Sequence, residues 1–381
     1  MKPVWHLITG EYAPQPGGVG DYTGLMAREL VAAGREVHVW ARGNEPIAVI
    51  ESGGVTVHRI AGRFGPVSLW KLGRALNRFP KPRRLLVQYV SHAYGWKSLN
   101  LPFAVWVWLR RHLHGDDVQT MFHEVWYPWV PRPWRHNIIA AVTRVMGFFI
   151  SRASRICYVS TASWEPLVRS LAGLKANVIC VPVPANVAVG ADPEEVTAFK
   201  ATLPPGPVIV HFGTYGAHIE LHLTPVLVDL LSQDATIVIL LLGRSGDDYR
   251  HQFLQNHPEW ASRIVAPGTL TTEQVAIALR AADVALQPYP DGVSTRRTSV
   301  MATMANGVPL VTTNGFLSEP FWADSGLIVC SSLDPARLAQ MTLDLIRNRS
   351  ERDRVSRIAS FLYEERFSPR ITLDALLREE C

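Results

Sequence analysis

Short apolar runs recur along the whole chain, each bounded by glycine, proline or polar residues. Between them lie stretches whose apolar positions fall three or four residues apart. The runs have the signature of buried strands, and the intervening stretches that of helices with one covered face. Val4–Thr9, Glu36–Ala41, Val55–Ile60, Leu85–Val90, Thr120–Glu124, Ile156–Ser160 and Val178–Val181 predict one set of strands. Val208–Phe212, Thr236–Leu242, Arg263–Ala266, Val284–Gln287, Leu310–Thr313 and Leu327–Cys330 predict a second. A helix is expected from Gly17 through Ala33, burying Leu25, Met26, Leu30 and Val31, with Gly34 ending it where a left-handed residue is wanted. Strand–helix alternation of this kind predicts the α/β class, a doubly wound parallel sheet covered on both faces, formed twice.

At 381 residues the chain is long for one core. Pro182, Pro184, the run Val189–Glu195 and the cluster Pro204-Pro205-Gly206-Pro207 break the alternation between the two strand sets. The expected domains are 1–186 and 187–365, with a last helix, about 366–381, packing back on the first. The composition, 48% apolar and 19% charged, is that of a globular protein. No apolar run approaches the roughly 20 residues of a membrane span. The longest, Ile138–Ile150, is short and contains Arg144. The chain enters a strand at once, so secretion is not expected. Cys157, Cys180, Cys330 and Cys381 are scattered, which predicts a reducing compartment, no disulfide framework and no zinc site.

The net charge of +5 is unevenly spread. Sixteen Lys or Arg stand against three acids from Ser52 to Trp164, where eight of the twelve tryptophans also fall. This predicts an anionic partner for the first half. The segments Trp70–Arg84 and Trp96–Arg111 mix basic and aromatic residues, and Trp126–Arg155 contains no acid. Arginine with bordering tryptophan suits an interfacial helix, so an anionic membrane surface is one expected partner. Steering of a soluble anionic acceptor, or of the donor itself, is the other reading.

The stretch 287–313 concentrates the chemistry. A strand ends at Gln287, a loop carries Asp291, Gly292, Ser294, Arg296, Arg297, Thr298 and Ser299, a short helix spans Ser299–Met304, and another strand follows Gly307-Val308-Pro309. Free N–H groups at a helix start, two guanidinium groups and hydroxyls make a trap for phosphate. The loop lies at the carboxyl end of a parallel strand, where open α/β sheets hold ligands. His123, with Glu124 beside it, stands at the end of another strand. There a neutral imidazole can hydrogen-bond a sugar hydroxyl or support charge on a departing phosphate. No His, Asp and Glu cluster has metal-ligand spacing, so no metal is expected.

The tail Ala305-Asn306-Gly307-Val308-Pro309-Leu310-Val311, together with Gly10–Asp21, resembles retaining nucleotide-sugar glycosyltransferases of the glycogen-synthase-like clan, family 4-like. The resemblance implies two doubly wound Rossmann-like domains facing across a cleft, the glycosyltransferase-B architecture. It makes Gly17, Gly18, Val19 and Gly20 the N-terminal glycine loop, facing a donor phosphate or an acceptor. It also gives His123 a catalytic position opposite the donor sugar. It places Gly213, Thr214, Arg244, Gly268, Thr269, Asp291, Gly292, Ser294, Arg296, Arg297 and Ser299 on the donor. Departures are equally clear. The clan's two glutamates fall, without gaps, at Ser294 and Ala302, while aligning Asp291-Gly292 with Glu-Gly needs an insertion. The usual arginine and lysine after Gly213 are replaced by Ala217-His218-Ile219-Glu220. Glu319, near where relatives place a glutamate, reads as structural.

The implied activity is transfer of a sugar, with retention and without a metal, from a nucleoside diphosphate sugar to an acceptor hydroxyl. The acceptor would be a glycan or a lipid-linked precursor in the cytoplasm, at the inner face of the membrane. No cofactor and no nucleic acid are expected. Two alternatives stay open: a sugar-nucleotide epimerase of similar fold, and a degenerate protein that binds nucleotide or membrane without turnover. A pyridoxal phosphorylase would need a cofactor lysine in the second half, where Lys200 is the only lysine after Lys175.

Overall fold

The computed structural model describes residues 3–15, 17–43, 48–50, 53–91, 94, 99–132 and 134–378. Pro16, Trp96, Glu380 and Cys381 lie outside the described residues. The chain forms two compact units, Met1–Pro182 with Pro369–Cys381, and Val183–Ser368. The crossings lie a few residues from the breaks at 186 and 366 expected from the prolines.

The first unit runs β1 (Val4–Thr9), α1 (Gly18–Ala32), β2 (Val37–Gly43), β3 (Ala48–Ile50), β4 (Thr56–Ala61), α2 (Pro66–Leu76), β5 (Arg83–Tyr89), α3 (Leu101–His112), β6 (Asp117–Phe122), α4 (Arg135–Ala153), β7 (Ile156–Val159), α5 (Glu165–Ala172) and β8 (Val178–Cys180). Its sheet has the order β3-β4-β2-β1-β5-β6-β7-β8. All pairings are parallel except β3 with β4, which is antiparallel and forms an edge the apolar pattern did not predict. Every residue of β5 is buried, because helices cover both faces of a parallel sheet and leave no polar side for its central strands. Two of those residues are arginines, and they need partners. Arg83 Nε donates to Asp116 at 2.7 Å and Arg84 Nε to Asp117 at 2.9 Å; Arg110 Nε donates to Asp116 at 2.5 Å, and Arg155 Nε to Asp117 at 2.8 Å. The basic first half is therefore partly neutralised within the fold. Four of the cations counted toward an external partner, and two of the three acids, are spent on each other.

The last helix, α13 (Pro369–Leu377), returns to this unit. It packs on α1, and Thr372 Oγ1 donates to the carbonyl of Pro182 at 3.0 Å.

The second unit runs α6 (Pro193–Ala201), β9 (Val208–Phe212), α7 (Ala217–Gln233), β10 (Val238–Leu242), α8 (Gly246–Asn256), β11 (Ile264–Val265), α9 (Thr272–Arg280), β12 (Val284–Gln287), α10 (Thr298–Ala305), β13 (Leu310–Thr313), β14 (Ile328–Cys330), α11 (Pro335–Arg347) and α12 (Arg349–Arg366). The sheet order is β11-β10-β9-β12-β13-β14, parallel throughout. Part of the presumed linker is helical: Asp192 caps α6 by accepting from Glu194 N at 2.8 Å, and Pro193 suits the first helical turn. Leu227, Leu230 and Leu343 pack with the strands of β9, β10 and β12 in one continuous core.

Candidate functional site

In the first unit, β1 and β6 end at the same edge of the sheet and deliver the glycine loop and His123. The start of α1 is already filled. Glu11 Oε1 accepts from Val19 N at 3.0 Å and from Gly20 N at 3.2 Å. A Cβ on Gly17 would lie 2.3 Å from that carboxylate, so the absent side chain leaves room for the chain's own acid. Of the expected glycine loop Gly17, Gly18, Val19 and Gly20, the N–H groups of Val19 and Gly20 are thus held by Glu11 in this structure. The Thr9 hydroxyl, donating to the Glu11 carbonyl at 2.8 Å, anchors the turn.

His123 lies just past β6, not in a strand reaching Glu124, and its N–H donates to Tyr89 O at 2.9 Å. Its ring is half-buried, with Nε2 at 2.8 Å from Gln88 Oε1 on β5. An amide oxygen only accepts, so in this arrangement Nε2 carries the proton and Nδ1 the lone pair. Tyr22 of α1 meets the imidazole edge-on, with centroids 4.8 Å apart. Desolvation by these neighbours pushes the His123 pKa down to about 3, which keeps the ring neutral at physiological pH. The glycine-loop helix and His123 thus meet through Tyr22, and Gln88 sets the tautomer. Tyr22, Gln88 and Glu11 went unassigned by sequence reasoning, since their roles depend on distant partners.

In the second unit the loop after β12 is built around Asp291. Its carboxylate takes Arg296 Nη2 at 2.9 Å and also the guanidinium of Arg297. Arg297 lies over the Tyr289 ring at 4.3 Å. The Tyr289 hydroxyl has Ser299 Oγ at 2.6 Å and donates to Gln287 Oε1 at 3.1 Å, while Gln287 Nε2 donates to Phe212 O at 3.0 Å. This chain of contacts ties the β12 loop to the end of β9, beside Gly213. From below, Glu319 clamps the loop. It accepts from Thr295 N at 3.2 Å, Thr295 Oγ1 at 2.7 Å and Trp322 Nε1 at 2.8 Å. Gly292 has φ 89°, and a Cβ there would lie 2.3 Å from Gly315 N, so the loops after β12 and β13 pack backbone to backbone.

The remaining expected donor residues are placed less uniformly. Ser294 is fully buried and cannot present its hydroxyl at the surface. The Gly213 N–H is spent on Leu242 O at 3.0 Å, while Thr214 and Arg244 are exposed. Gly268 faces the Asp247 carboxylate, and Thr269 is exposed. The structure therefore gathers Asp291, Gly292, Arg296, Arg297 and Ser299 into one loop at the start of α10, with two guanidinium groups already held by an acid. Such a loop can exchange a carboxylate for a phosphate. Among the described residues no group of three or more His, Cys, Asp or Glu side chains could hold a metal ion.

Two doubly wound Rossmann-like units of this kind define the glycosyltransferase-B fold class. Within the first unit, residues 17–182 match the glycosyl transferase 4-like domain family. Solved structures of this fold resemble the chain over its full length at low sequence identity. Sucrose-phosphate synthase from Thermosynechococcus elongatus is 16% identical with a TM-score of 0.72, covering 99% of each chain. HepE of Anabaena, with UDP and glucose bound, is 14% identical with a TM-score of 0.66, covering 100% of this chain and 99% of its own. WaaG, a glycosyltransferase involved in lipopolysaccharide biosynthesis, is 12% identical with a TM-score of 0.67, covering 98% and 99%. No curated protein matches the chain in sequence.

Proposed function

We propose that the protein is a retaining glycosyltransferase that moves a sugar from a nucleoside diphosphate donor to an acceptor hydroxyl. The observation that carries this reading is the loop Asp291–Ser299, which aims two guanidinium groups and a helix start from the carboxyl end of β12. The donor binds the second unit through Arg296 and Arg297, which take up charge as the diphosphate leaves. The acceptor, a glycan or a lipid-linked precursor, binds the basic first unit, with His123 toward the reacting sugar. In the transfer, the acceptor oxygen bonds to the anomeric carbon on the face the diphosphate vacates. The acceptor proton passes to the leaving phosphate. The two arginines supply charge that a metal would otherwise provide, so the reaction runs without one, in the cytoplasm or at the inner face of the membrane.

A second reading has its own support. Glu11 and Asp291 occupy both anion-receptive loops with the chain's own carboxylates, as suits a protein that binds nucleotide without turning it over. Incubation with a panel of nucleotide sugars and acceptors, with and without EDTA, separates the two. Release of nucleoside diphosphate that persists in EDTA, together with an α-linked product from an α-linked donor, is expected. A ligand-induced melting shift with no released nucleotide would favour the binding protein. Turnover lost in EDTA and restored by manganese would overturn the metal-free mechanism.

A further inference from the structure

α4 packs on α3, α5 and β6, burying Ala140, Thr143, Met146, Gly147 and Ile150. It carries a second apolar face that no described residue of this unit covers. Trp134 at its start is 67% exposed, Ile138 50%, Val145 44% and Phe148 40%. With the exposed Ala141 and Arg152 these positions step by four, three, four, three and four residues, which keeps them on one side of the helix. A scattered exposed leucine needs no explanation, but a continuous stripe along a whole helix does.

The surroundings of the stripe select its occupant. Arg132 and Arg135 stand exposed at its start, and Arg152 at its end lies over the Phe148 ring at 4.8 Å. Beside it, Arg144 is stacked between Trp126 at 4.7 Å and Trp129 at 4.6 Å, and Trp129 is itself exposed. The segment 126–155 contains no acid. A second copy of this chain would bring the same arginines against themselves. A nucleic acid stacks bases on residues such as Trp134 and Phe148 but offers no apolar partner for Ile138 and Val145, which lie between them on the same face. An anionic bilayer surface satisfies both: acyl chains take the apolar stripe, and headgroup phosphates take the arginines. The helix, roughly 28 Å long at 1.5 Å per residue, lies in the interface rather than crossing it. No described helix is long and apolar enough to span a membrane.

We infer that the exposed face of α4 docks the protein on anionic lipid, with Trp134, Ile138, Val145 and Phe148 inserted and Arg135 and Arg152 on headgroups. This deepens the acceptor side of the proposed function, because a docked first unit would meet lipid-linked hydroxyls. It does not depend on the transfer chemistry, since an inactive chain would still bind vesicles. The alternative basic segment Trp70–Arg84 is weaker, because Arg83 and Arg84 are buried on Asp116 and Asp117.

The test is cosedimentation of the full chain with vesicles of phosphatidylcholine, alone or with an equal share of phosphatidylglycerol, at low and high salt. Binding is expected only to the anionic vesicles, weakened by salt. Ile138→Asn with Phe148→Asn should weaken it by on the order of tenfold or more. Arg135→Glu with Arg152→Glu should abolish the preference for anionic lipid. Both pairs are exposed, though Arg152 also donates to Leu171 O at 3.2 Å, so the melting temperature serves as the folding control. Three outcomes would overturn the inference. The native chain could stay in the supernatant throughout. The Asn pair could bind as the native chain does. Or, without vesicles, the native chain could be a dimer that the Asn pair dissociates, which would make a second copy the occupant.

Discussion

Replacing Asp291 by Asn should tighten the binding of a nucleoside diphosphate, the product that the proposed transfer releases, with UDP as the probe. In the free protein the Asp291 carboxylate pairs with both Arg296 and Arg297 and offsets one of their two positive charges. A phosphate accepting from the outer side of either guanidinium would lie roughly 6 Å from that carboxylate, where two unit charges repel by about 3 kcal/mol at an effective dielectric of 20. The three side chains are between 18% and 27% exposed, so solvent and salt reduce the repulsion. About 1–2 kcal/mol survives, which is roughly five- to thirtyfold in affinity. Asn keeps the size and one acceptor oxygen, so the loop retains its shape while the charge is lost. The opposite change, Arg296→Ala with Arg297→Ala, removes two charge-assisted bonds worth roughly 1.5–3 kcal/mol each and should weaken UDP by roughly a hundredfold to ten-thousandfold. Titration calorimetry at fixed ionic strength reads both, with thermal melting as the stability control. If D291N binds UDP no tighter and the double alanine variant binds it equally well, the loop is not a phosphate site.

Other consequences follow from the same geometry. His123→Ala should lower turnover by on the order of a hundredfold or more while leaving UDP affinity nearly unchanged; a collapse in melting temperature with unchanged activity per folded molecule would return His123 to the core. Asp116→Ala should destabilise the first unit by about 3–5 kcal/mol in chemical denaturation, because it strands the buried Arg83 and Arg110. A change under 1 kcal/mol would mean that Asn77, which accepts from both, suffices. Stability should also fall in mild acid. Burial lowers His6 and His211 to about 3, so both fold neutral; their contribution is complete above the unfolded pKa of 6.5 and drains away as pH drops toward 3. Between pH 6.5 and 5 each costs about 2 kcal/mol. Urea midpoints at pH 7.5 and 5.0 check this, and His211→Phe should flatten the slope of the second unit; equal midpoints for the native chain would refute it.

The architecture was legible because parallel strands covered on both faces leave unbroken apolar runs, and thirteen such runs mark thirteen of the strands. The strand β3 was not, since an antiparallel edge of three residues after a loop has no run to show. Long-range charge pairing was equally hidden. Arg83 and Asp116 stand far apart in sequence, and only the register of β5 beside β6 brings them together. Four arginines and two aspartates are paired inside the fold in this way, so the count of surface charge overstated the basic excess of the first half by two. For the loop after β12, composition identified the right residues but not their state. Asp291 was grouped with its arginines as one donor site, whereas the fold makes it their present partner.

The two self-filled anion loops are not equivalent, and the difference favours the second unit as the place where phosphate chemistry occurs. Glu11 takes uncharged N–H groups through a carboxylate wedged against the missing side chain of Gly17, and its turn is fixed by Thr9. Displacing it frees only two neutral donors for an incoming anion. Asp291 holds two full cations from a loop whose base is secured separately by Glu319. Its carboxylate is partly exposed, so water can take it over when a phosphate arrives, and the backbone beneath stays clamped. Exchange there costs one carboxylate's contacts and returns bonds from the same guanidinium groups to a more highly charged anion. The acid before α1 is therefore the weaker candidate for exchange, and the acid on the β12 loop the stronger one.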